Sequence, residues 1–410
     1  MHKPSLAGKV AQTQCISPRC GVVGAPHRPT TSNLPTPTRK FQHNQQFAMA
    51  TIYRPNDASL SPLSSKTILF AGYGNQARSQ ALNLRDTFAS SPDVSPPRIL
   101  IANRADSYHE TAIADGFSVT GFAEGAKEAD VVFLLVPDQV APALYNSEIG
   151  PNLRAGALVV VASGFNVFYK RLEIQDIDVG MVAPRMIGAG VRSRFLEGGG
   201  FPCFVSVENN SSGRALEMVL SLALGIGGLT AGAVECSARD ETLMDLFAEQ
   251  AIWPSIIVAF REAYSTLKKL GCSDEALVHE LWLSKEPAEV FDKCAEDGFT
   301  SQLKYHSTVS QYGQLSTSLG MDVTKLQEFF KKVADRQWAD FWRRWLTGTG
   351  INLEKRILGG EFTKEFTDID NEGGGNGIEK KLEELYAAAS TSELAAGEKR
   401  VRERMGLDKV

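Results

Sequence analysis

No Asp or Glu occurs before Asp57, no two of the six cysteines stand in C-x-x-C spacing, and no apolar run is long and unbroken. Each absence excludes something. Cysteines at positions 15, 20, 203, 236, 272 and 294 without a paired pattern read as small buried residues of a reducing compartment, not a disulfide framework or zinc site. The longest apolar stretch, 215–234, contains Glu217 and breaks at Gly225-Ile-Gly-Gly228, so it reads as a helix followed by a strand rather than a membrane span. The chain also lacks a basic surplus. A formal charge of −5 argues against a nucleic-acid partner. Internal repeats are missing too, and 410 residues are enough for two domains.

The missing acids are confined to the N-terminus. Residues 1–60 are rich in Pro, Ser, Thr and Gln without an apolar period, which predicts a disordered extension. Seven Lys or Arg precede Asp57, the composition of an organelle transit peptide. That predicts a mitochondrial or other organelle matrix location. A plain disordered tail, or a start at Met49, would instead leave the protein cytoplasmic. Without those seven cations the formal charge moves from −5 to −12, so the body is acidic.

What is present begins at Lys66. Thr67–Ala71 reads as a buried strand, Gly72-Tyr73-Gly74-Asn75-Gln76-Ala77 follows, and Arg78–Phe88 has helical spacing. Strand, G-x-G-x-x-A and helix together form the dinucleotide fingerprint in its required context. Gly72 allows the tight turn and Gly74 lets backbone approach a pyrophosphate, while the helix start offers free N–H groups. Further strands at 98–102, 130–137, 157–162, 178–183 and 203–207 alternate with helical stretches, the pattern of a doubly wound α/β sheet over residues 61–236. After the second strand come Asn103, Arg104 and Ser107. A cation and a hydroxyl there suit a 2′-phosphate, so NADPH is the expected cofactor, although Asp106 places a negative charge between them.

After Cys236 the β pattern stops, and residues 237–410 read as all-helical, with helices expected at 246–270, 274–291, 321–346 and 378–388. At the seam stands Asp240-Glu-Thr-Leu-Met-Asp245-Leu-Phe-Ala-Glu249. Asp245 and Glu249 lie one helical turn apart and could hold a hard cation such as Mg2+; the same spacing also fits a solvated helix face. Glu241 extends the acidic stripe, and Leu243, Met244, Leu246 and Phe247 read as the core face. His279 and His306 read as structural, and the basic run 399–404 as a solvated face.

Together these segments resemble the ketol-acid reductoisomerases. The resemblance covers about residues 64–405 and rests on Gly72–Asp86, Gly164-Phe-Asn166, Glu197–Cys203, Ala223–Gly228, Asp245–Ala251 and Ile357–Phe366. It implies the short family form: a Rossmann domain followed by a knotted helical domain, and a homodimer whose active sites are shared between subunits. It also implies NADPH, two Mg2+ ions, and a 2-acetolactate-type 2-hydroxy-3-keto acid as substrate, in valine, leucine and isoleucine synthesis. Residue by residue, Asp245 and Glu249 match the first metal pair, and Glu280 matches the third metal carboxylate. Ser307 matches the serine on the substrate carboxylate, and Gly72, Gly74, Arg104 and Ser107 match the NADPH loop.

Six positions, at four places in the chain, depart from the family pattern. Ser284 replaces the fourth carboxylate. Ser163-Gly-Phe165 replaces His-Gly-Phe, Arg185-Met186 replaces Lys-Gly, and Ala189-Gly190 replaces His-Thr. Arg185 keeps a catalytic-site cation, but a planar one. One Mg2+ site is therefore expected and the second is in doubt. Three readings remain open: an authentic isomeroreductase, a family reductase acting on another 2-keto acid with a weakened isomerase step, and a non-catalytic homologue. Retention of Asp245, Glu249, Glu280 and Ser307 together weighs against the last.

Overall fold

Short apolar strands that alternate their side chains between two faces need cover on both sides, and this chain supplies it. Ile68, Phe70, Val131, Phe133, Leu158 and Val160 enter one buried cluster, while their neighbours Leu69, Ala71, Val132, Leu134, Val159 and Val161 enter another across the sheet. The structure, a computed structural model, describes residues 50–334, 361–372 and 377–405. Strands are β1 (Ile52–Tyr53), β2 (Thr67–Ala71), β3 (Arg98–Ala102), β4 (Ser118–Thr120), β5 (Val131–Leu134), β6 (Leu158–Val161), β7 (Asp178–Pro184), β8 (Cys203–Asn209) and β9 (Ala233–Glu235). They form one sheet in the order β1-β9-β8-β7-β6-β5-β2-β3-β4. From β4 to β7 every pairing is parallel; β7 pairs β8 antiparallel, and β1 pairs β9 antiparallel.

The helices of this half are α1 (Asn75–Ala89), α2 (Ser107–Ala114), α3 (Phe122–Glu128), α4 (Ala141–Leu144), α5 (Phe165–Phe168), α6 (Gly188–Leu196) and α7 (Ala215–Ile226). Buried Asn83 on α1 ties two of them, donating to the carbonyls of Val191 and Ile226. The chain runs β2, β3 and β4 outward on one side, then returns to place β5 on the other side of β2. That reversal opens a crevice at the C-terminal ends of β2 and β5, where such sheets bind ligands.

Two expectations change here. Order begins before Lys66: Ile52 and Tyr53 pair with Val234 and Ala233, and Leu63 is fully buried. The turns before Lys66 thus belong to the body, and the expected tail is shortened to residues 1–49, which lie outside the described residues. The apolar stretch 215–234 does divide into α7 and β9. The four described cysteines are free.

The helical half starts with α8 (Ala238–Phe247), a π-helical turn (Ala248–Ile252) and α9 (Trp253–Lys269). Then come α10 (Asp274–Val278), a second π turn (His279–Leu283), α11 (Glu286–Asp297), α12 (Thr308–Gly320), α13 (Thr324–Ala334), α14 (Glu361–Glu372), α15 (Gly377–Ser390) and α16 (Glu393–Met405). The single helix expected over 274–291 is broken at Lys285, whose φ is 66°. The remainder of the helix expected over 321–346 lies outside the described residues. The core here is small: Tyr264, Leu277, Val278 and Val401. Asp274 knots it, accepting from the Tyr264 hydroxyl (2.5 Å), Lys268, and both Nε and Nη2 of Arg400 (3.1 and 2.6 Å). Arg400, read from sequence as part of a solvated face, instead fastens α16 to α10.

Candidate active site

The crevice at the sheet switch point is a cavity of about 470 Å3 lined by Gly72, Tyr73, Gly74, Asn75, Gln76, Arg104 and Asp106, and closed by apolar Leu135, Val136 and Pro137. Gly72 has φ +96°, and a Cβ there would meet the Leu135 carbonyl oxygen at 2.8 Å, so only glycine closes this turn. Gly74 is the N-cap of α1 and brings no side chain to it, which leaves the helix N–H groups to a ligand. Gln76 donates to the Met186 carbonyl (2.8 Å), which fixes the loop to the segment following β7. These features fit a dinucleotide pyrophosphate.

The far end of the cleft differs from expectation. Asp106, not Ser107, lines the cavity. Ser107 is the first residue of α2, and Asp106 caps that helix by accepting from the Tyr108 and His109 N–H groups (2.9 and 3.2 Å). Asn103 and Arg104 also donate to Asp106, at 2.8 and 3.0 Å. The helix start that would meet a 2′-phosphate is already filled by a carboxylate, and Arg104 is tied to it. Bonds from Arg104 and the two amides hold the Asp106 carboxyl below its usual range.

A smaller cavity of about 220 Å3 shares Gln76, Leu135, Val136 and Pro137 and continues past Asp138, Ser163 and Asn166. Asn166, 3% exposed, donates to the Asp138 carboxylate (3.0 Å) and to its carbonyl (3.1 Å). Desolvation by the surrounding chain pushes the Asp138 carboxyl up to about 6, even though the residue itself is exposed; Arg171 pulls the value down and Asp245 pushes it further up.

The carboxylates of the seam do not share one fate. Glu241 is 1% exposed, not part of a solvated stripe. It accepts from the Gly164 N–H (2.8 Å) and from Arg185 Nη1 (2.7 Å). Gly164 itself packs on α8, where a Cβ would meet the Ala238 carbonyl oxygen at 2.3 Å. Arg185 also donates Nη2 to Asp245 Oδ1 (2.7 Å), and its guanidinium lies over the Phe204 ring at 4.9 Å. Burial opposes its charge, but the bonds to Asp245 and Glu241 outweigh that and hold it firmly ionised. The expected free catalytic cation is therefore a clamp between β7 and α8. Glu249 sits in the π turn just after α8, with neither hydrogen bond nor ion pair among the described residues. Burial, then Asp245, Asp138 and Glu241, push its carboxyl up. Of the expected core face, Leu246 is buried, but Met244 is 46% exposed; Phe247 packs on Phe330.

Glu280 lies in the second π turn and is exposed, as is Ser284. Among the described residues no three His, Cys, Asp or Glu side chains converge as a metal centre, so Glu280 does not join Asp245 and Glu249 within the chain. Ser307 is the exposed N-cap of α12, its Oγ accepting from the Ser310 N–H (3.3 Å). His279 and His306 bond Glu275 and Gln302 nearby, a structural role. Asp138 and Asn166 were not singled out as site residues from sequence. The available signal was position: Asp138 follows a strand at the switch point, where such folds place ligands.

Residues 62–232 match the model of the acetohydroxy acid isomeroreductase NADPH-binding domain, and residues 239–406 match that of the ketol-acid reductoisomerase C-terminal domain. The chain is 34% identical over 339 residues to the ketol-acid reductoisomerase (NADP(+)) of Pyrobaculum arsenaticum, covering 82% of this chain and 94% of that one. It is 35% identical over 303 residues to the ketol-acid reductoisomerase (NAD(P)(+)) of Metallosphaera sedula, covering 72% and 87%. A solved NADH-preferring ketol-acid reductoisomerase from an uncultured archean superposes with a TM-score of 0.70 at 27% identity, covering 86% of this chain and 98% of that one. With a glycine-cradled cleft at the sheet switch point and both domain models spanning the body, the chain belongs to the ketol-acid reductoisomerase family.

Proposed function

We infer that this protein works as a ketol-acid reductoisomerase, an NADP-dependent oxidoreductase acting on a 2-acetolactate-type 2-hydroxy-3-keto acid in branched-chain amino acid synthesis. The observation that carries the reading is a pair of adjoining cavities that share Gln76, Leu135, Val136 and Pro137, one holding the Gly72–Gln76 cradle and the other Asp138, within electrostatic reach of Asp245 and Glu249. When bound, NADPH supplies hydride and Mg2+ supplies the Lewis acid that polarises the substrate oxygens for the alkyl shift. The chain's own groups do the holding. Amides at the start of α1 take the pyrophosphate, and Leu135, Val136 and Pro137 keep water from the reducing end. Asp245, through the oxygen that Arg185 leaves free, and unpartnered Glu249 form a donor pair that fits one hard cation with waters completing its shell.

Glu280 and Ser307 are exposed on the single chain, and so are Trp253, Ile257 and Val258 of α9. This supports a homodimer in which each site takes Glu280 and Ser307 of the partner subunit. NADPH oxidation by the purified protein with 2-acetolactate and Mg2+ tests the reading. Turnover is expected, and a protein that binds NADPH yet consumes none with any 2-acetolactate-type acid would refute it.

A second reading is favoured by two observations: the Arg185 clamp on Asp245, and Ser284 standing where the family has a carboxylate. In it, reduction of a preformed 2-keto acid outlasts isomerisation, and Ser284→Glu restores the balance toward isomerisation. Equal rates on both substrates in the unaltered protein would exclude it. For location, an organelle matrix remains our proposal, tested by imaging residues 1–60 fused to a fluorescent protein.

A further inference from the structure

Arg185 lies one residue beyond β7, and its guanidinium meets two carboxylates of a single helix. Nη1 donates to Glu241 Oε1 and Nη2 to Asp245 Oδ1, both at 2.7 Å. Glu241 is fully engaged, since its other oxygen accepts from the Gly164 N–H. Asp245 is only half engaged: its second oxygen has no partner among the described residues, and neither has Glu249 one turn on. The guanidinium is also fixed in place, with Phe204 against its face. A planar, permanently charged fork can serve two carboxylates at once, whereas a lysine ammonium is a single point charge on a flexible stem.

We propose that Arg185 is a tethered cation that competes with the divalent ion for Asp245, so that the protein itself sets its metal site weak. The inference rests on the reading of Asp245 and Glu249 as the metal pair. A divalent ion on that pair must either share Asp245 with a cation bonded to the same carboxylate or displace one of its donors. Displacement is resisted because Glu241, buried and otherwise uncompensated, holds the guanidinium in place. Arg185 is here a positioning residue for Asp245, and it determines metal occupancy without touching substrate.

The test is an electron paramagnetic resonance titration of the full-length protein with Mn2+ as probe, without substrate or cofactor. Arg185→Lys keeps a cation for Glu241 and frees Asp245. It should tighten Mn2+ binding roughly tenfold, the worth of one charge-assisted hydrogen bond released. Glu241→Gln should act in the same direction and more weakly, because the guanidinium loses the anchor that resists its displacement from Asp245. Unchanged or weaker Mn2+ binding by folded Arg185→Lys overturns the competition and leaves the metal reading standing. If Arg185→Lys does not fold, unchanged or weaker binding by Glu241→Gln overturns the competition instead. Absence of saturable Mn2+ binding in the unaltered protein and both variants overturns the metal reading and the competition with it.

Discussion

The two halves of the body bury their apolar surface to different degrees. In the sheet half both faces are covered, and residues such as Phe70 and Phe133, stacked at 4.5 Å, are 0% exposed. Among the described residues of the helical half, Tyr264, Leu277, Val278 and Val401 form a small buried cluster, while Trp253, Ile257, Val309, Tyr312 and Leu319 are more than half exposed. Among the described residues, too little packs on helix α9 to cover its apolar face. A half that closes on itself can hold a cofactor alone. In the reading proposed above, the open half meets a second subunit to complete its chemistry. The proposed site lies where the two join, with the cofactor cleft on the closed half and the proposed Glu280 and Ser307 on the open one.

The largest effect should come from splitting the site between chains. Asp245→Ala and Glu280→Ala should each be inactive as pure proteins. Mixed and allowed to exchange, they should give heterodimers with about a quarter to a half of unaltered activity, because one of two shared sites is then intact. Heterodimers shown to form without recovered activity would mean that the helical half completes its site within one chain, and the contrast between the halves would lose its functional meaning.

The contrast itself is sharpened by a pair of truncations. Phe133→Ala removes a stacked, fully buried ring and should cost about 3–5 kcal/mol in denaturant unfolding. Ile257 is 66% exposed, and Ile257→Ala should cost well under about 0.5 kcal/mol of chain stability while shifting the dimer equilibrium in sedimentation. If Ile257→Ala leaves assembly untouched, this face of α9 is not the interface.

This difference also explains what sequence could reveal. The closed half was legible because its information is local. Short continuous apolar runs such as Val131–Leu134 and Leu158–Val161 mark strands covered on both faces, and Gly72 and Gly74 fix the turn into α1. The antiparallel edge strand at Ile52–Tyr53 was missed because two residues carry no period, and their place comes from β9, far along the chain. At the seam, the one-turn spacing of Asp245 and Glu249 could be read directly. Which carboxylate faces water could not. Glu241 looks identical to its neighbours in sequence, and its burial is decided by Gly164 and Arg185, about 77 and 56 residues away. Ser107 was preferred to Asp106 for a similar reason: a capping carboxylate is recognised by the amides it accepts from, not by its own identity.

A smaller effect is expected at the cofactor loop, within the closed half. Arg104→Asp should weaken NADPH by at most about 1.5–3 kcal/mol, one charge-assisted contact. Asp106→Ser should act the other way: it frees Arg104 and two helix amides for a 2′-phosphate and raises the NADPH-to-NADH binding ratio severalfold. Titration of both cofactors by fluorescence reads these shifts. If Asp106→Ser left the ratio unchanged, the capping carboxylate would not be opposing the phosphate.

The smallest effect concerns Asp138, a residue of the closed half that faces the open one. Its carboxyl is pushed up to about 6 by burial first, with Arg171 opposing and Asp245 adding. An unfolded Asp releases its proton near about 3.9. Between those values the folded chain holds more protons than the unfolded chain, so the contribution of Asp138 to stability falls as pH rises through that window and stays lost above it. Asp138→Asn keeps an acceptor for Asn166 and removes the titration. The variant should therefore match the unaltered protein's melting temperature near about pH 4 and exceed it slightly above about pH 6. The gain should be small, because the residue is exposed and solvent screens the effect. A melting-temperature difference that is flat across this range would show Asp138 titrating as an ordinary surface carboxylate, and the crevice wall would then be wetter than its packing indicates.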